Sequence, residues 1–94
     1  MVVGGAAQAS AEEPLSLDAA FRRYSPYVAA IALRLLGRDD EVDDIVQDVF
    51  LGAIKGIHQI RDPGAAKAWL ATVTVRVVRR RLRMRRFKAV FGFD

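Results

Sequence analysis

Thr72-Val73-Thr74-Val75-Arg76-Val77 decides the fold of this 94-residue chain. The six residues alternate with period two, so on local evidence alone they admit a strand. The residues on either side, Ala65 to Ala71 and Val78 to Leu82, include many good helix formers, and no second strand exists for the stretch to pair with. It is therefore read as the middle of a long helix. The chain is then all-α, a compact bundle of three to four helices. In helical projection Ala66, Trp69, Leu70, Val73 and Val77 make one apolar face, with Trp69 as its core anchor. Ala71, Val75, Val78 and Leu82 make a second stripe on the far side. A helix apolar on two sides is sandwiched between elements or waits for a partner.

Working outward, Asp62-Pro63 opens this helix as N-cap and first-turn proline, after a linker over 58–64. Upstream, Asp39 or Asp40 caps a helix expected over 40–57, with acids in its first turn suiting the helix dipole. Val42, Ile45, Val46, Val49, Phe50, Ala53 and Ile57 share its core face, and Asp44, Gln47, Asp48, Leu51 and Lys55 share the opposite one. Gly52 and Gly56 lie between the faces, where they admit a closely approaching neighbour; Gly56 is equally readable as a helix stop. Further upstream, Ser16 is an N-cap and Gly37 a C-cap. Between them Phe21, Tyr24, Val28, Ile31, Ala32, Leu35 and Leu36 recur at spacings of three and four. Pro26 should divide that pattern into helices over 16–25 and 27–36. The last helix should run to about residue 87. Residues 1–14 are low in complexity and read as a disordered tail, 15–88 as the folded domain, and 89–94 as the start of a linker.

Composition narrows the function. Residues 1–60 carry five basic and nine acidic side chains, whereas 61–94 carry ten basic and two acidic. An acidic half joined to a basic half suggests two charged partners, one a polyanion. No Cys is present, so a disulfide framework, a thiolate zinc site and a cysteine nucleophile are excluded. One His, Ser only at 10, 16 and 25, and no phosphate-cradling Gly-rich loop leave little for catalysis. The chain reads as a binding module without enzyme activity or cofactor. No apolar run approaches the roughly 20 residues of a membrane span, and no basic n-region precedes the Ala/Gly-rich start. An intracellular, cytoplasmic location without membrane insertion is expected.

Two constellations carry that binding. Eight basic residues fall within thirteen positions: Arg76, Arg79, Arg80, Arg81, Arg83, Arg85, Arg86 and Lys88. Arg76, Arg79, Arg83 and Arg86 project onto one stripe, where guanidinium forks suit successive backbone phosphates. Arg80 projects onto the apolar meridian and needs an acidic partner there, Asp43 or Asp18. The second constellation is Asp39, Asp40, Glu41, Asp43, Asp44 and Asp48. These acids spread around a helix instead of alternating along a loop with a central Gly, so they do not read as a metal site. Leu51, exposed among acids and Gln47, marks a protein-docking face.

In order, Phe21-Arg22-Arg23-Tyr24-Ser25-Pro26-Tyr27-Val28, then Val42-Asp43-Asp44-Ile45-Val46-Gln47-Asp48-Val49-Phe50, then Ala68-Trp69-Leu70 before an Arg-rich helix resembles region 2 of bacterial sigma factors. The small extracytoplasmic-function class is the most similar, and the resemblance covers about 15–88. It implies docking on the β′ clamp helices of core RNA polymerase through Asp44, Gln47, Asp48 and Leu51. It also implies recognition and melting of the promoter −10 element on the non-template strand. The loop over 58–65, with His58, Gln59 and Arg61, would then hold a flipped-out base, and Arg76, Arg79, Arg80, Arg83 and Arg86 would face DNA. Arg76 and Arg80 stand where the family usually has Asn and Asp. Family members are often held by an anti-sigma factor, and a monomer is expected when free. They also carry a second domain that reads the −35 element; this chain stops where the linker to it should begin, as an excised domain or a member lacking that half. The competing readings are a polymerase-independent basic helical DNA- or RNA-binding module and a protein-interaction module docking through the second apolar stripe.

Overall fold

The computed structural model of the chain describes residues 16–92; the expected tail over 1–14 and the last two residues lie outside them. Three α-helices follow in order, α1 Leu17–Leu36, α2 Val42–Ala53 and α3 Pro63–Phe91, with a 3-10 turn at Ile57–Gln59 before α3. Among the described residues there is no strand, and the expectation of an all-α bundle holds. The expected site of conflict, 72–77, is helical throughout. Thr74 is fully buried there, and its hydroxyl donates to the Leu70 carbonyl at 2.6 Å. Thr72 donates to the Ala68 carbonyl at 3.2 Å in the same way. Back-bonding of this kind gives a buried hydroxyl its partner inside the helix, so the period-two alternation has no polar group left to satisfy elsewhere.

α1 begins as expected, with the Ser16 hydroxyl accepting from the Ala19 N–H, and ends at Gly37 in the left-handed region (φ +78°). Pro26 does not divide it. The proline removes one hydrogen bond to the carbonyl of Arg22, but Arg22 and Pro26 are both exposed, so water can serve that carbonyl. On the other side of the helix, Ala20, Tyr24, Val28 and Ala32 are all buried, before and after the proline. A single packed face therefore holds the two halves in one axis.

α2 departs from expectation at both ends. Its N-cap is Glu41, not Asp39 or Asp40, and no side chain caps it. Asp40 is instead engaged by Arg38, with Nε–Oδ1 at 2.7 Å and Nη2–Oδ2 at 2.8 Å. The fork of hydrogen bonds from Arg38 holds the Asp40 carboxyl below its ordinary range and raises Arg38 in turn. At its C-terminus α2 stops at Ala53 instead of running to 57. The chain turns through 54–56, and the 3-10 turn swings Ile57 into the core at 1% exposure. Gly56 gives way to Trp69: a Cβ there would lie 3.1 Å from the indole Cη2 and Cζ2. Gly52 has nothing within 4 Å, so the close approach exists at one of the two glycines.

The Asp62 carboxylate accepts from the Gly64 N–H at 3.1 Å, with Pro63 in the first turn, and α3 starts as read. It packs on both α1 and α2, which is why it is apolar on two sides. Ala66, Leu70, Val77 and Val78 are buried, and Trp69, Val73 and Leu82 pack partly buried against them. α1 is tied to its companions by an edge-to-face contact of Phe21 with Phe50, centroids 5.2 Å apart. The Tyr24 hydroxyl adds a bond to the Pro63 carbonyl at 3.0 Å. At 29 residues α3 is about 43 Å long, longer than its neighbours, and it runs to Phe91 where a linker was expected. Positions 83, 84 and 86–91 are all exposed.

Candidate functional site

Three surfaces lie open around the core: the outer face of α2, the free length of α3, and the loop that leads into α3. On α2, burial of Val42, Ile45, Val46, Val49, Phe50 and Ala53 turns Asp44, Gln47 and Leu51 outward. Leu51 is 59% exposed, one of nine large apolar side chains exposed among the described residues. Gln47 and Leu51 border an apolar groove floored by Leu17, Phe21, Val46 and Phe50. Asp44 and Asp48 lie on the edge of the same face that is nearer α3.

That edge leads to an ion-pair network that the sequence reading missed. Arg81 on α3 reaches Asp48 at 3.1 Å, Glu41 at 3.4 Å and Asp44 at 3.8 Å. Arg85 pairs with Glu41, which Arg38 also approaches at 3.5 Å. Glu41 thus sits among three guanidinium groups at 20% side-chain exposure. Arg80 is exposed and, among the described residues, pairs with neither Asp18 nor Asp43. The correction is one of phase: Arg80 and Arg81 differ by 100° on the helix, and the axis of α3 turns the second toward α2. Asp18 pairs with Arg22 instead.

Arg76, Arg79, Arg83 and Arg86 are all exposed on α3, in the stripe that the projection assigned them. Spaced three and four apart, they present a cationic edge along about 15 Å of helix. No acidic residue interrupts it, since none occurs between Asp62 and Asp94.

The loop surface comprises His58, Gln59 and Arg61, each exposed, on and just after the 3-10 turn. Beside it lies a cleft of about 360 Å³ lined by Arg23, Tyr24, Tyr27, Pro63, Gly64 and Lys67. Lys67 places its ammonium 4.7 Å from the Tyr27 ring centroid, a cation–π contact across the cleft. Arg23, Tyr27 and Lys67 come from two helices about 40 positions apart. Only their packing assembles a basic, aromatic cleft here, so no local spacing signals it.

Among the described residues no group of three His, Cys, Asp or Glu side chains is arranged to hold a metal ion, and no helix is long and apolar enough to cross a membrane. No curated protein and no solved structure matches the chain. The family model for sigma-70 region 2 matches residues 20–88, which takes in most of α1, all of α2, the loop and most of α3. Region 2 domains are not enzymes; they act by binding. The chain belongs to the sigma-70 region 2 family, the part of sigma factors that serves promoter recognition and transcription initiation.

Proposed function

We propose that this domain docks on the β′ clamp helices of core RNA polymerase through Asp44, Gln47, Asp48 and Leu51, and that it recognises and melts the promoter −10 element. The observation that carries the reading is the separation of two surfaces. An exposed leucine beside Gln47 and acids lies on α2, while a wholly basic edge lies on α3. A free-standing nucleic-acid binder has no need of the first. The domain does no covalent chemistry: it binds the melted non-template strand better than duplex and so shifts the opening equilibrium. Arg76, Arg79, Arg80, Arg83 and Arg86 meet the strand's phosphates, with His58, Gln59 and Arg61 beside the cleft at Tyr27 and Lys67. A base extruded from the stack costs a few kcal/mol, offset by stacking and phosphate contacts. The extracytoplasmic-function class, a cytoplasmic site of action, a monomeric free state and control by an anti-sigma factor belong to the same reading.

The test is capture of a β′ clamp-helix fragment by the chain and by Leu51→Arg. Leu51 is exposed, so the variant should keep its helical circular dichroism and its affinity for single-stranded DNA while losing the clamp fragment. Equal capture by variant and parent would move the docking face elsewhere. Failure of the parent to bind the fragment would favour a polymerase-independent nucleic-acid-binding module.

A further inference from the structure

The carboxylates proposed to meet polymerase are already occupied in the free domain. Arg81 spans Asp48, Glu41 and Asp44, and Arg85 pairs with Glu41. These two arginines are the more covered members of the basic run, at 30% and 41% side-chain exposure. They line, with Glu41 and Asp48, a cleft of about 510 Å³ between α2 and α3. Arg80 and Lys88 line the same cleft. It is thus strongly cationic wherever its acids are otherwise engaged.

Resting on the docking reading above, we propose that Arg81 and Arg85 are latent phosphate-binding residues. Glu41, Asp44 and Asp48 hold them in the free domain. They pass to the nucleic-acid strand when the docked partner takes Asp44 and Asp48 together with Glu41, which shares Arg81 with both and adds a third carboxylate to the docking face. A guanidinium forks onto a phosphate as readily as onto a carboxylate. Partly exposed ion pairs are weak and screened, so they exchange partners without unfolding anything. Docking and strand binding then compete with one and the same set of internal pairs. Each therefore raises the affinity of the other by an equal factor. Such a domain binds nucleic acid weakly when free and more tightly once docked.

The measurement is the salt dependence of binding to a short single-stranded oligodeoxynucleotide. In the free chain, Arg81→Ala/Arg85→Ala should leave the log–log slope unchanged. With the β′ clamp fragment bound, the same double change should flatten the slope by about 1.4, two phosphates at about 0.7 each. Separately, Glu41→Gln/Asp44→Asn/Asp48→Asn should steepen the slope of the chain alone by about 1.4, and adding the two arginine changes should restore the parent value. Flattening by the full amount in the free parent would show both arginines already on phosphate and overturn the proposal. An unchanged slope in the neutralised chain would overturn it as well. Should the parent fail to bind the clamp fragment, the docking reading falls, and the neutralised chain alone decides whether the two contacts are latent. Should the neutralised chain lose its helical circular dichroism, the comparison with and without the clamp fragment decides.

Discussion

Gly56 and Gly52 sit four positions apart, and the structure gives them opposite roles. A methyl group on Gly56 would press on the Trp69 ring at 3.1 Å, closer than ordinary van der Waals contact. The indole is itself packed against the core, so it has little room to yield. Gly56→Ala should lower stability by about 1 kcal/mol through overpacking. Gly52 lies in the last turn of α2 with open space where a Cβ would go, so Gly52→Ala should raise stability by up to about 0.5 kcal/mol, less than in a helix interior. Urea denaturation of the two variants reads both signs. A Gly56→Ala protein as stable as its parent would mean that Trp69 is free to move. In the sequence both glycines were open to a close approach, because both lie between the apolar and polar faces of one periodic pattern. Which one meets a ring depends on where α2 stops, and that depends on Ile57 finding the core.

At the scale of an element, α1 raises the question of what a proline costs when tertiary packing overrides it. Pro26 has no N–H to donate to the carbonyl of residue 22. The buried face of Ala20, Tyr24, Val28 and Ala32 compensates. Pro26→Ala should therefore raise stability by about 1–3 kcal/mol, less the smaller loss from a freer unfolded chain. The thermal midpoint checks it. A decrease would mean that restriction of the unfolded chain outweighs the missing hydrogen bond. The break expected at Pro26 was a correct statement of local preference. It failed because the apolar spacing is continuous across the proline, and burial of four side chains outweighs one hydrogen bond.

Across the whole molecule, charge is sorted by direction. Five arginines of α3 are exposed to solvent, Arg76, Arg79, Arg80, Arg83 and Arg86, and two, Arg81 and Arg85, point at α2. If Arg79 and Arg83 each meet a phosphate, replacing either with Ala should flatten the salt slope for single-stranded DNA by about 0.7. The loss should be nearly independent of base sequence, since phosphates carry no sequence information. Fluorescence anisotropy over a salt series measures it. A slope unaltered by either change would place the strand on another face of α3.

Period and punctuation by themselves determined most of this domain. Spacings of three and four marked the apolar faces of α2 and α3 and the centre of that of α1, where Tyr24, Val28 and Ala32 are buried but Phe21 and Leu35 are exposed. Ser16, Gly37 and Asp62-Pro63 marked caps that the structure bears out. The acidic and basic halves, and the order of motifs resembling region 2, were legible for the same reason: each is written within one segment of chain. The tertiary structure alone decided the rest. It placed Glu41, not Asp39 or Asp40, at the start of α2, and made it the meeting point of Arg38, Arg81 and Arg85. It selected Arg81 over Arg80 for an acidic partner, and it brought Tyr27 and Lys67 to one cleft. Each of these outcomes joins residues about 40 positions apart or turns on the rotation of a helix about its axis. Local periodicity defines a face to within a turn, whereas an ion pair forms or fails over an ångström or two. That distance is set only when α2 and α3 pack against each other.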